Sequence, residues 1–177
     1  MKAKFKILVL ATAALAAAAA LAGCRNPARD KENAANVEIS DDMRLSAEEY
    51  RAKFLDTFGN WSKEAAIIAP ALYGGEEYYL ERDDFTAHVE TARGILDEFG
   101  TFYPPKKLDK QHNEVLLAIG TERKWLDTAE KAYTALENKD QAAFDAATDE
   151  LQKYADESQF PSAVITTVQA INAEIKE

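Results

Sequence analysis

The spacing of apolar residues constrains the fold most, because beyond residue 45 they recur at alternating intervals of four and three. That interval puts them on one stripe of an α-helix. The pattern predicts five helices. The first covers about 46–72, the third and longest about 106–137 and the fifth about 162–176. The second begins near Asp83 or Asp84 and ends by Gly100, the fourth lies between Asp140 and Ser158, and no segment is typical of a strand.

Local signals mark the ends of these helices. Ser46-Ala47-Glu48-Glu49 matches a capping box, with Ser46 as N-cap and Glu49 reaching back to it. Pro70 is expected to kink the first helix or to end it early, and Gly74-Gly75 stops it. Asp140 is the predicted N-cap of the fourth helix.

Short connections between amphipathic helices favour antiparallel neighbours. The sequence therefore predicts an all-α domain over residues 45–177, an up-and-down antiparallel bundle of four or five helices. Aromatic residues within the stripes are expected in its core. In the third helix His112 and Glu122 are the only polar residues on the stripe.

The N-terminus carries the most specific local motif. Three lysines in the first six residues precede an apolar run of about fifteen residues, 7–21, which is short for a membrane span. Leu21-Ala22-Gly23-Cys24 follows. This segment resembles the bacterial lipoprotein signal peptide. The alternative is an ordinary signal peptide followed by an unrelated cysteine.

The resemblance implies that residues 1–23 are removed and that Cys24 carries a diacylglyceryl thioether. The protein would then be held at the extracytoplasmic face of a membrane by acyl chains, each buried methylene contributing about 0.8 kcal/mol. Residues 24–44 are polar and predict a flexible tether. Arg25 rather than aspartate follows Cys24, which favours the outer membrane in a Gram-negative cell; a Gram-positive cell offers only its plasma membrane.

Charge and cysteine content exclude several classes of function. Without the three signal lysines, the 21 basic residues fall to 18 against 31 acidic residues, and the formal net charge goes from −10 to −13. So acidic a chain repels phosphate backbones, which argues against nucleic-acid binding. Cys24 is the single cysteine, so the exported domain would have no disulfide, thiolate ligand or cysteine nucleophile.

Residues able to do chemistry are few. Asp84 with His88, and Asp109 with His112, have the spacing that places a carboxylate and an imidazole on one helix face. Pairing at the surface explains both without a metal. None of the nucleophile, metalloprotease or phosphate-loop motifs is found. We therefore expect no metal, no cofactor and no enzymatic activity.

The connections flanking the second helix are rich in aromatic residues. They hold Tyr73, Tyr78, Tyr79, Phe102 and Tyr103. In an up-and-down bundle they form two patches at opposite ends, and each patch could contact a partner or cap the core.

Three functions are consistent with these features. The first is a non-enzymatic lipoprotein that binds a protein partner or serves as accessory subunit in an envelope process, and it predicts an exposed apolar or tyrosine-rich patch. The second is a lipoprotein that binds a small ligand or a metal and delivers it to a transporter. It predicts either a cavity between helices or a site where Glu122, His112 and His88 come together. The third is an enzyme, which needs a cleft with perturbed titratable groups. Beyond the signal, the chain is similar in style to small helical bacterial lipoproteins of uncharacterised function.

Overall fold

The computed structural model describes residues 39–176, which fold into five α-helices. Their bounds are α1 Ala47–Tyr73, α2 Arg82–Glu98, α3 Asp109–Glu137, α4 Gln141–Glu157 and α5 Phe160–Lys176. Short 3-10 turns lie at Asp41–Met43, Glu76–Tyr78 and Lys106–Leu108. This part of the chain contains no β-strand. The predicted signal peptide, Cys24 and the tether as far as residue 38 lie outside the described residues.

The helices run up and down, as predicted. α2 returns antiparallel along α1, since Lys53 pairs with Glu98 and Glu64 with His88. α3 reverses direction again and packs on both. The fourth position of the bundle is shared by α4 and α5, which follow one another along α3 and are separated at Ser158 and Gln159. The all-α antiparallel bundle is therefore confirmed.

Side-chain caps mark the starts of α1 and α4. The Ser46 hydroxyl accepts from the Glu49 amide at 3.2 Å, and the Glu49 carboxylate accepts from the Ser46 amide at 3.0 Å, so the capping box is confirmed. The Asp140 carboxylate caps α4 by accepting from the Ala143 amide at 3.0 Å. Pro70 does not end α1, which continues to Tyr73.

Aromatic rings fill the core where α1, α2 and α5 meet. Phe54 and Phe99 make an edge-to-face pair at 5.5 Å between ring centroids, and Phe99 and Phe160 a second at 5.7 Å. All three rings are at most 1% exposed. Such pairs contribute roughly 0.5–1.5 kcal/mol beyond the area they bury, so this half of the bundle is firmly packed.

The chain enters the bundle at Arg44. Its guanidinium binds both carboxylate oxygens of Asp109, at 2.5 and 3.0 Å, and donates to the Pro104 carbonyl at 2.9 Å. The Leu45 amide donates to the Tyr103 carbonyl at 3.0 Å. The last residues of the predicted tether are therefore attached to the end of the bundle where α1 and α3 begin. Within residues 39–176, no helix has the length and apolar character needed to span a bilayer.

Candidate binding groove

A groove separates α1 from α4. Both helices pack on α3, but α4 has no close backbone approach to α1, whereas α5 does. The separation leaves a cavity of about 1580 Å³ between the C-terminal half of α1 and the whole of α4. α3 forms its floor, and we call this space the α1–α4 groove.

The lining of the groove is mainly apolar and aromatic. The α1 wall has large aromatic rings near one end, followed by a run of alanines. Residues of α3 form the floor, and the α4 wall contributes two aromatic rings. These residues are Phe58, Trp61, Ala65, Ala66 and Ala69 on α1, Trp125, Ala135 and Leu136 on α3, and Phe144, Tyr154 and Ala155 on α4. Trp61 and Trp125 are the two tryptophans of the chain.

The two ends of the groove differ in character. Tyr73, Tyr78 and Tyr79 lie at one end, beside the turn after α1. That turn needs glycine: Gly75 has φ of 85°, which an L side chain rarely adopts, and a Cβ on Gly74 would overlap the Tyr78 ring. The break between α4 and α5 forms the other end.

Glu122 brings a carboxyl group to the end of the groove formed by the α4–α5 break. Its Oε1 accepts a hydrogen bond from the Ser158 hydroxyl at 2.5 Å. That hydroxyl in turn accepts from the Phe160 amide at the start of α5, at 3.1 Å. Burial raises the pKa of Glu122 above its ordinary value, and the Ser158 hydrogen bond partly opposes this rise. Among the described residues, no hydrogen bond is made to Oε2.

The α4 wall is strongly acidic on its solvent side. α4 contains five carboxylates and a single lysine. The carboxylates are Asp145, Asp149, Glu150, Asp156 and Glu157. A negative potential therefore borders the groove along one side.

The predicted aromatic surface is divided between the two ends of the bundle. Tyr78 and Tyr79 are 49% and 47% exposed and lie at the groove. Phe102 is buried against Tyr50 at the opposite end, with ring centroids 5.8 Å apart, and Tyr103 is half-buried beside it. The structure thus favours core capping for Phe102, and Tyr78 and Tyr79 are the most exposed residues of the predicted aromatic surface.

The two histidines do not converge with Glu122. His112 is buried, its Nδ1 lies 2.9 Å from the Tyr50 hydroxyl, and burial lowers its pKa to about 4, against the opposing charge of Asp109. His88 pairs with Glu64 at 2.7 Å. Among residues 39–176, no three His, Cys, Asp or Glu side chains are grouped to hold a metal ion.

Sequence reasoning identified Glu122 but missed the groove. The predicted stripe placed Phe58 and Trp61 in the core, and both do face inward, yet they line the cavity as well. The alanine run on α1 was a signal that could have suggested an open wall, because small side chains leave space that another helix must fill.

Comparisons with protein-family models, with curated proteins and with solved structures gave no match.

Proposed function

We propose that this protein is a membrane-anchored extracytoplasmic lipoprotein that binds a partner protein and catalyses no reaction. It would be held at the membrane by acyl chains on Cys24. The α1–α4 groove would take an amphipathic α-helix from an envelope protein. The observation that carries the proposal is this groove, an apolar cleft between two helices that share a neighbour but whose backbones do not approach each other closely.

The dimensions of the groove suit a helix. α4 has 17 residues and is therefore about 25 Å long, which corresponds to between four and five helical turns. A cavity of about 1580 Å³ exceeds the 300–1,000 Å³ typical of small-molecule pockets. An inserted helix would pack on α1, α3 and α4 together and would complete the bundle, which is the helix-in-groove mode of recognition.

The lining chemistry points the same way. Phe144 and Tyr154, both half-buried, offer aromatic surface of the kind that dominates binding energies at protein interfaces, while Trp61 and Trp125 are 6% and 7% exposed and pack beneath the groove. Ala65, Ala66 and Ala69 allow the backbone of a partner helix to approach α1 closely. With aromatic rings on both walls of the groove and alanines between them, a partner helix would be held in one position.

Charge favours a protein helix over a lipid. The acidic α4 wall repels anionic headgroups, which are the usual source of specific lipid binding. The same wall attracts a helix with lysine and arginine on its polar face. A basic amphipathic helix therefore satisfies both the apolar lining and the charged border.

Photocrosslinking tests this function in the full-length protein in its native membrane. A photoreactive phenylalanine analogue is placed at Ala66 or at Phe144, on opposite walls of the groove. The matched control is Leu117, which is 72% exposed on α3 and does not line the groove. We expect both groove positions to give an adduct with one protein, joined to a basic amphipathic segment of it, and the control to give none.

Equal adducts from all three positions, or none from the groove, would contradict the proposal. A groove adduct with a small apolar molecule would instead support the alternative of a small-ligand-binding lipoprotein that feeds a transporter.

A further inference from the structure

We infer that the occupant of the α1–α4 groove presents a cationic group, an ammonium or a guanidinium, to Glu122. This inference rests on the helix-binding function proposed above and specifies the partner: a basic amphipathic helix with one lysine or arginine on the face that enters the groove.

The position of Glu122 within the groove is the first argument. The other charged residues of the lining, Glu76, Lys139 and Asp140, all belong to the turns at the far end. Within the described lining, Glu122 is therefore the one charged group at the end of the groove formed by the α4–α5 break. Its neighbours Trp125 and Phe160 are apolar.

The hydrogen bonding of Glu122 is the second argument. Oε1 is already committed to Ser158, which is itself held by the Phe160 amide at 3.1 Å. The carboxyl group is thus oriented by the backbone at the α4–α5 break. Oε2 accepts no hydrogen bond within residues 39–176, so this oxygen remains available to accept from a donor on the occupant.

The cost of covering this carboxylate is the third argument. A wholly apolar helix laid over the floor would strip water from Glu122 and leave a charge buried without a partner, which is expensive. A lysine or arginine at that point supplies the missing donor and the opposite charge. Glu122 would thus discriminate against purely apolar helices as well as attract basic ones.

Two series of matched peptides test the inference on the folded protein. Each peptide is an 18-residue amphipathic helix, about 27 Å long, with a basic polar face and no tryptophan. In one series each peptide carries a single lysine at a different position of the apolar face. In the matched series norleucine replaces that lysine. Both tryptophans of the protein are buried beneath the groove, so a change in their fluorescence reports a change in packing when the groove is occupied.

We expect one lysine register to bind at least about tenfold more tightly than its norleucine match, as coupling between close interfacial charges allows. Glu122→Gln should abolish that preference. Glu114→Gln, which neutralises an exposed glutamate on the same helix outside the groove, should leave it unchanged. Should Glu122→Gln fail to fold by circular dichroism, Glu122→Met serves as the second variant.

The outcomes separate the two proposals. Norleucine peptides that bind as tightly as every lysine peptide, or a lysine preference that survives in the Glu122 variants, would overturn the inference and leave the helix-binding function standing. Absence of binding by both series would overturn the helix-binding function and the inference with it.

Discussion

Glu122 occupies a position that its helix assigns to the interior, and within residues 39–176 the Ser158 hydroxyl is the one group that donates a hydrogen bond to its carboxyl. Its folded-state pKa is raised, mainly by burial. In the folded protein it therefore holds its proton to higher pH than in the unfolded chain. Linkage then makes the contribution of Glu122 to stability largest below the unfolded pKa of about 4.5, and that contribution is lost as pH rises through the folded pKa.

We predict that wild type loses stability relative to Glu122→Gln as pH increases above about 4.5. Glu122→Leu should be more stable than wild type by about 1 kcal/mol at pH 7, because an apolar side chain suits the partly buried floor of the groove better than a carboxylate does. Urea unfolding at several pH values measures both differences. Identical pH profiles for wild type and both variants would contradict the assigned environment of Glu122.

The sequence was sufficient to single out Glu122 but not to explain it. Spacing along α3 shows that a glutamate interrupts an apolar stripe. Its partner Ser158 lies 36 residues away at a helix break, and only the packing of α4 and α5 on α3 brings the two together. The sequence likewise showed that His112 lies on the apolar stripe but not what it contacts, because its partner Tyr50 is 62 residues away in the chain.

α4 has the fewest buried residues of the five helices. Its only buried residues are Ala147 and Leu151, and α3 is its only close neighbour. α3, by contrast, buries eleven residues and packs on every other helix. Elements with few buried contacts open locally at low free-energy cost, so α4 is the wall of the groove that can move.

Hydrogen exchange tests this difference between helices. We predict faster amide exchange in α4 than in the buried stretches of α1 and α3. Leu151→Ala should accelerate exchange in α4 further, because removing a buried leucine costs about 2–5 kcal/mol. Leu117→Ala, at a side chain 72% exposed, is the control and should change little. Uniform exchange across the bundle would show that α4 is held as firmly as its neighbours.

The helices themselves were largely predictable, because period, capping box and glycine stops are local properties of the chain. The third helix was predicted to begin at about 106, yet Lys106–Leu108 forms a 3-10 turn and α3 starts at Asp109. The groove was not predictable from the stripes. An apolar stripe shows that a helix face is covered, but it does not show which neighbour covers it, and here α1 and α4 face each other across open space.

The whole molecule combines an N-terminal motif that suggests a lipid anchor with a bundle that has a cleft. We predict that Cys24→Ala moves the protein from the membrane fraction to the soluble fraction, because the acyl chains would be lost. Fractionation followed by immunoblotting measures this. If the Cys24→Ala variant stays in the membrane fraction, the lipid-anchor hypothesis loses its main support. The helix-binding proposal would be unaffected, because it rests on the α1–α4 groove.

The attachment of Arg44 has a mechanical consequence. In a protein held at its N-terminus, a pull on the anchor enters the folded domain at Arg44 and Leu45. The two bonds to Asp109 and the bond to Tyr103 would then carry the tension together and pass it to the start of α3 and to the turn that precedes it. The α1–α4 groove lies along the C-terminal half of α1, away from the residues that would carry this tension. If Cys24 carries acyl chains, tension from the membrane would therefore reach the bundle far from the α1–α4 groove and would not pull its walls apart.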